Sequence, residues 1–166
     1  AIIANAGNLT NRAGGAINGG INNTGTFTQL AGGVANGGLT NTGAVSAAGT
    51  INGAIANNGG AFTVTGGNLV GDNTFTNANG ATVNVNGGNL TGVTTFTNSG
   101  VLNIALGRTL AANRIVNDGT GTINGDVNNT TTFTQLAGGV TNGKLTNTGA
   151  VNAAGAINGA IANNAG

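Results

Sequence analysis

The sequence predicts an all-β chain wound as a parallel β-solenoid of about nine coils, each of roughly 12–21 residues. Three observations carry that expectation. A long segment repeats, a short motif recurs inside it, and the composition excludes helix.

The long repeat covers more than half of the 166 residues. Residues 17–60 return as residues 123–166, at an offset of 106, with 36 of 44 positions identical. Self-similarity on this scale marks a chain built from stacked units that cannot bury a core alone. Residues 1–166 therefore read as one repeat-built segment, a full unit of 106 residues and part of a second.

The short motif is an apolar residue, any residue, then Asn. It runs in chain order through Leu9-Thr10-Asn11, Ile21-Asn22-Asn23, Leu39-Thr40-Asn41, Ile55-Ala56-Asn57 and Phe75-Thr76-Asn77. It continues through Phe96-Thr97-Asn98, Ile115-Val116-Asn117, Val127-Asn128-Asn129, Leu145-Thr146-Asn147 and Ile161-Ala162-Asn163. The apolar anchors are spaced 12, 18, 16, 20, 21 and 19 residues apart, and the series then restarts at 12, 18 and 16. Each interval reads as one coil.

Between anchors lie short alternating segments, such as Thr26-Phe27-Thr28, Phe62-Thr63-Val64, Val83-Asn84-Val85 and Leu102-Asn103-Ile104. Period-two alternation bounded by Asn and Gly is a strand signal. No window holds an apolar stripe at helical period, and Gly, Asn and Thr disfavour helix throughout. The corners repeat as well, in Ile17-Asn18-Gly19-Gly20-Ile21, Ile51-Asn52-Gly53-Ala54-Ile55, Ile123-Asn124-Gly125-Asp126-Val127 and Ile157-Asn158-Gly159-Ala160-Ile161. Asn-Gly between apolar residues also fits a hairpin. An antiparallel meander is thus the competing architecture, with strands too short to be stable in isolation. Disorder is disfavoured by the 39% of apolar residues spread along the chain.

The Asn at anchor plus two needs a reason to recur. A corner amide can bond to the amides in the coils above and below, so Asn11, Asn23, Asn41, Asn57, Asn77, Asn98, Asn117, Asn129, Asn147 and Asn163 are expected to form a structural ladder. A row of Asn could instead bind sugar or metal. Thr residues flanking the inward Phe, such as Thr26, Thr28, Thr74, Thr76, Thr95, Thr97, Thr132 and Thr134, should point outward. Regular outward Thr rows raise ice binding as a further function class, although strand propensity alone accounts for Thr there.

Composition narrows the chemistry. The chain has no His, Cys, Glu, Met, Trp, Tyr or Pro, and charged residues make up 4% of it. The seven charges are Arg12, Asp72, Arg108, Arg114, Asp118, Asp126 and Lys144, for a net charge of +1. A basic footprint for nucleic acid or anionic membrane is absent, and no apolar run approaches the roughly 20 residues of a membrane helix. The opening AIIANAGNLT is not a signal peptide. Without Cys there is neither a disulfide framework nor a thiolate metal site. Paired carboxylates would have to come from Asp72, Asp118 and Asp126, and Ser46 and Ser99 have no His base. The sequence therefore predicts no enzyme, catalytic residue, metal or cofactor. Arg108, Arg114, Asp118 and Asp126 form its one charged neighbourhood, read as a solvated face.

The runs FTNANGATVNV at 75–85, FTNSGVLNI at 96–104 and LTNTGAV at 39–45 resemble the passenger repeats of bacterial autotransporters and related haemagglutinin-type exoproteins. That resemblance implies a right-handed parallel β-helix displayed on, or released from, the cell surface. Members of those families include adhesins, proteases, toxins and inert stalks. The expected role is an extracellular rod, spacer or adhesive contact surface, with a self-assembling filament subunit as the alternative. The expected partners are flanking repeats or identical subunits stacked end to end, and a host-cell or matrix surface. Apolar residues near both termini, such as Ile2 and Ile161, prompt the end-to-end expectation.

Overall fold

The computed structural model describes residues 1–70 and 74–164. Among the described residues there are 24 strands and no helix. Strand neighbours within each sheet come from successive passes of the chain, and they pair in parallel. The meander is thereby excluded and the β-solenoid stands.

Each coil has three faces. In the first coil these are Ile2–Asn5 on face 1, Asn8–Asn11 on face 2 and Ala16–Ile17 on face 3. Face 2 is an uninterrupted nine-stranded sheet. Face 3 opens as a separate three-stranded sheet, and its later strands merge with face 1. The merger arises because Asn89–Asn98, Leu110–Asn117 and Val127–Gln135 each run from face 3 round the corner onto face 1. Register irregularities accompany this corner, between Leu90 and Val93 and between Ala112 and Arg114. The nine coils advance one strand spacing each, giving a rod about 40 Å long.

Register fixes the coil length. On face 1 the inward apolar column reads Ile3, Ile21, Leu39, Ile55, Phe75, Phe96, Ile115, Phe133 and Val151. The amides stacked beside this column are separated by 16 to 21 residues. The 12-residue interval is therefore not a coil. Ile21 stacks on Ile3, whereas Leu9 lies on face 2 and stacks on Phe27. A 12-residue step covers two faces and stops one short of closure. All three faces use the same apolar-x-Asn wording, so spacing alone did not distinguish them.

This has a geometric consequence for the long repeat. Ile21–Asn23 lies on face 1, but its copy Val127–Asn129 stacks under Leu110–Ala112 on face 3. Phe27 lies on face 2 and its copy Phe133 on face 1. The offset of 106 residues thus spans six coils less one face, and the second copy is turned by one face relative to the first.

The interior is one apolar column from end to end. Phe27, Phe62, Phe75, Phe96 and Phe133 are all at most 1% exposed. The Phe62 and Phe75 rings meet edge to face at a centroid distance of 5.0 Å, and Phe75 and Phe96 lie 5.0 Å apart at a tilt of 35°. Burial of each such side chain contributes about 1.5–3 kcal/mol, realised through contacts with the coils on either side rather than with a globular core.

Glycine serves the corners in two ways. Gly80 has φ 81°, a left-handed conformation at the tip of the Ala78–Ala81 turn. Gly37 has no such φ, but a Cβ there would fall on the backbone of Gly19 in the coil above. Close approach, not positive φ, is what most Asn-Gly corners require: of their nine glycines, Gly80 and Gly125 alone have positive φ.

Candidate functional site: amide ladders and outward faces

Alternation along each face-1 strand places the apolar anchor inward and the Asn two residues on inward as well, at the corner leading to face 2. There the amides form a continuous ladder. Asn5 donates to Asn23 (2.6 Å), Asn23 to Asn41 (2.8 Å), Asn41 to Asn57 (2.8 Å) and Asn57 to Asn77 (2.9 Å). Asn77 donates to Asn98 (2.8 Å), Asn98 to Asn117 (2.8 Å) and Asn117 to Gln135 (3.2 Å). Each Nδ2 also reaches backbone carbonyls at the corner: Asn98 bonds Gly100 of its own coil at 3.1 Å and Thr122 of the next at 3.1 Å. Asn77 does the same with Ala81 and Val101. The ladder therefore joins coils along the axis and braces two faces across the corner. Buried polar groups are tolerated because every member is partnered.

Six of the ten motif Asn lie in this column: Asn23, Asn41, Asn57, Asn77, Asn98 and Asn117. Asn11 does not, because a 12-residue step separates its motif from the first face-1 anchor of the series, and Asn129, Asn147 and Asn163 do not, because the second copy is turned. Asn11 lies on face 2 and donates to Gln29 at 3.1 Å, after which that column becomes Ala47, Val64, Val85 and Ile104. Asn129, Asn147 and Asn163 stand on face 3, where Asn129 donates to Asn147 at 2.5 Å. The side-chain amides of Asn147 and Asn163 approach to 3.0 Å. This column starts beneath Ala112, which offers no amide, and Asn129 Oδ1 is buried with no partner among the described residues.

Two sets of amides were not anticipated. Asn5, Gln29 and Gln135 extend the buried columns, and Ile3-Ala4-Asn5 carried the motif in plain view. Outward ladders also run along the surface. One links Asn18, Asn36 and Asn52; the other links Asn84, Asn103, Asn124, Asn142 and Asn158, at 2.7–3.0 Å. Their signal is Asn directly after an inward residue, as in Ile17-Asn18 and Leu102-Asn103.

The outward Thr rows are shorter than their spacing suggested. On face 2 one row reads Thr10, Thr28, Ser46 and Thr63, then continues as Asn84, Asn103 and Asn124. On face 1, Thr74, Thr95 and Thr132 are interrupted by Arg114.

Of the four residues read as one charged neighbourhood, Arg108 and Asp126 come to one recess, whereas Arg114 and Asp118 stand apart from it. Arg114 projects from face 1 and Asp118 occupies the corner between faces 1 and 2. Arg108 and Asp126 line a shallow recess of about 260 Å³ between faces 2 and 3, with Ile104 and the fully exposed Leu106. The Lys144 backbone N–H donates to Asp126 at 2.8 Å. Partial burial pushes the Asp118 carboxyl upward, but hydrogen bonds from the Ser99 hydroxyl, the Thr120 N–H and hydroxyl and the Gly121 N–H outweigh it, so it titrates below the ordinary carboxylate range. Asp72 lies outside the described residues.

Fold and ladders together define a parallel β-solenoid repeat protein with buried amide columns. Comparison with protein-family models, curated proteins and solved structures gives no significant match.

Proposed function

We propose that the chain is an extracellular structural segment of a bacterial surface protein, a stiff rod or spacer whose sparsely charged sides serve as a contact surface. The supporting observation is the uninterrupted stack. Nine coils share one apolar column and amide ladders along the axis, a design that resists bending and unravelling. Face 2 in particular carries small Thr, Ser, Ala, Val and Asn side chains in two outward rows and bears no charge along its nine strands. A Cys-free chain also fits export in an unlocked state. The resemblance of its repeats to autotransporter and haemagglutinin-type passengers points the same way.

The test is accessibility on the producing cell. An antibody raised against the chain should label intact cells, and labelling should vanish after brief protease treatment of the cell exterior. Labelling that appears only after lysis would remove the surface role.

A further inference from the structure

Nine Asn-Gly dipeptides punctuate the chain, at Asn18, Asn36, Asn52, Asn58, Asn79, Asn86, Asn124, Asn142 and Asn158. This dipeptide is the most prone to spontaneous side-chain cyclisation, because glycine has no Cβ to obstruct attack by its own backbone nitrogen. The structure sorts the nine into three groups. Six belong to the outward ladders: Asn18, Asn36, Asn52, Asn124, Asn142 and Asn158. Asn36, for example, donates Nδ2 to Asn18 at 2.7 Å and accepts on Oδ1 from Asn52 at 2.8 Å. Turning its Cγ toward Gly37 would break both bonds. Asn86 stands outside the ladders, but the Gly87 N–H is engaged with Val64 O at 3.0 Å, so the attacking nitrogen is held. Asn58 and Asn79 are exposed, enter no ladder, and precede glycines whose N–H has no partner among the described residues. Asn79-Gly80 forms the centre of the turn closed by Ala81 N–H to Ala78 O at 3.0 Å, and nothing lies within 4 Å of a Cβ position on Gly80.

We propose that Asn79-Gly80, and after it Asn58-Gly59, are self-modification sites at which the folded protein deamidates in water, while the outward ladders preserve six of the other Asn-Gly corners and the held Gly87 N–H preserves Asn86. In the reaction the glycine nitrogen, on losing its proton, attacks Cγ of the asparagine. The new C–N bond closes a succinimide as the side-chain nitrogen leaves, taking up a proton to depart as ammonia. Water then adds to one of the two ring carbonyls and opens it, leaving aspartate or isoaspartate. The balance needs no oxidant, reductant or cofactor. Each conversion moves the net charge of +1 one unit negative and places a carboxylate on a nearly uncharged surface. The charge of the rod thereby records its age. The outward ladders acquire a role distinct from that of the buried ones: they preserve covalent integrity where corner packing demands Asn-Gly.

Incubation of the purified folded chain in mildly alkaline buffer, followed by peptide mapping with mass spectrometry, tests the assignment. Asn79 should convert first and Asn58 next. Asn36, Asn124 and Asn142 should convert slower, by on the order of tenfold, than the same residues in chain held unfolded by denaturant, the factor that one or two lost hydrogen bonds command. The variant Asn103→Ala isolates the ladder, since Asn103 accepts from Asn124 at 2.9 Å and is outward-facing. It should accelerate conversion at Asn124 and leave Asn79 unchanged. Equal rates at all nine sites in the folded chain, or no acceleration at Asn124 in the variant, would overturn the proposal.

Discussion

Substituting Asn98 by Ala probes the buried ladder at its centre. Asn98 accepts from Asn77 and donates to Asn117, Gly100 and Thr122, and it is fully buried. After truncation the Asn77 amide keeps Val101 and Ala81 as acceptors, but Asn117 Oδ1 loses its donor inside the rod. A buried acceptor left unpaired costs about 1–3 kcal/mol, and the net loss of the remaining bonds adds about 1 kcal/mol. The expected destabilisation is therefore about 2–4 kcal/mol. Urea unfolding followed by far-UV circular dichroism measures it, with Asn103→Ala as the comparison. Asn103 exchanges the same type of amide bond, but half-exposed, so water replaces what is lost and the expected change is below about 1 kcal/mol. Equal midpoints for Asn98→Ala and wild type would refute the claim that buried amides hold the coils together. Equal losses in the two variants would refute the distinction between buried and outward ladders.

Other perturbations separate the remaining parts of the account. Asn129→Ala should cost less than Asn98→Ala, because Asn129 Oδ1 is already unpartnered beneath Ala112; the same urea titration decides it. Phe75→Ala should cost about 3–5 kcal/mol, since it opens a cavity between Phe62 and Phe96, and a loss below about 1 kcal/mol would contradict the continuous core. The folded-state pKa of Asp118 is lowered, so its stabilisation is present above the ordinary carboxylate value and is lost as pH falls through the folded value. Asp118→Asn should accordingly flatten the acid limb of the stability profile without steepening it at neutral pH.

The architecture was legible because a solenoid repeats its chemistry in each coil. Apolar-x-Asn marks a strand end with both marked side chains inward, and its recurrence at about 18 residues is coil closure written in sequence. What spacing could not reveal was which face each motif occupies. Leu9 and Ile21 look like successive rungs, yet one sits on face 2 and the other on face 1. Closure depends on where the chain bends, and the bends at Arg12–Gly15 and Leu30–Gly33 have no distinctive wording beyond Gly. The ladder was legible as chemistry and not as topology, for the same reason. Gln29 and Gln135 fall outside the apolar-x-Asn wording because the amide, not the residue type, is what the column repeats; a Gln in the same place reaches its partners with one more methylene. The dispersal of Arg114, Asp118 and Asp126 onto different faces likewise follows from bends that linear proximity does not reveal.

The rotation of the second copy can be tested directly with paired cysteines, because the chain has none of its own. Neighbouring parallel strands hold paired Cα atoms about 4.8 Å apart, within the range a disulfide spans. Ala111 and Asn128 are such a pair, both directed outward on adjacent coils of face 3. Val116, by contrast, pairs with Thr97 and Thr134 on face 1. The double variant Ala111→Cys with Asn128→Cys should oxidise to an intramolecular disulfide in the folded monomer, and Val116→Cys with Asn128→Cys should not. The reverse outcome would mean that the 12-residue step closes a coil, that both copies share the same faces, and that the frame described for this solenoid is wrong.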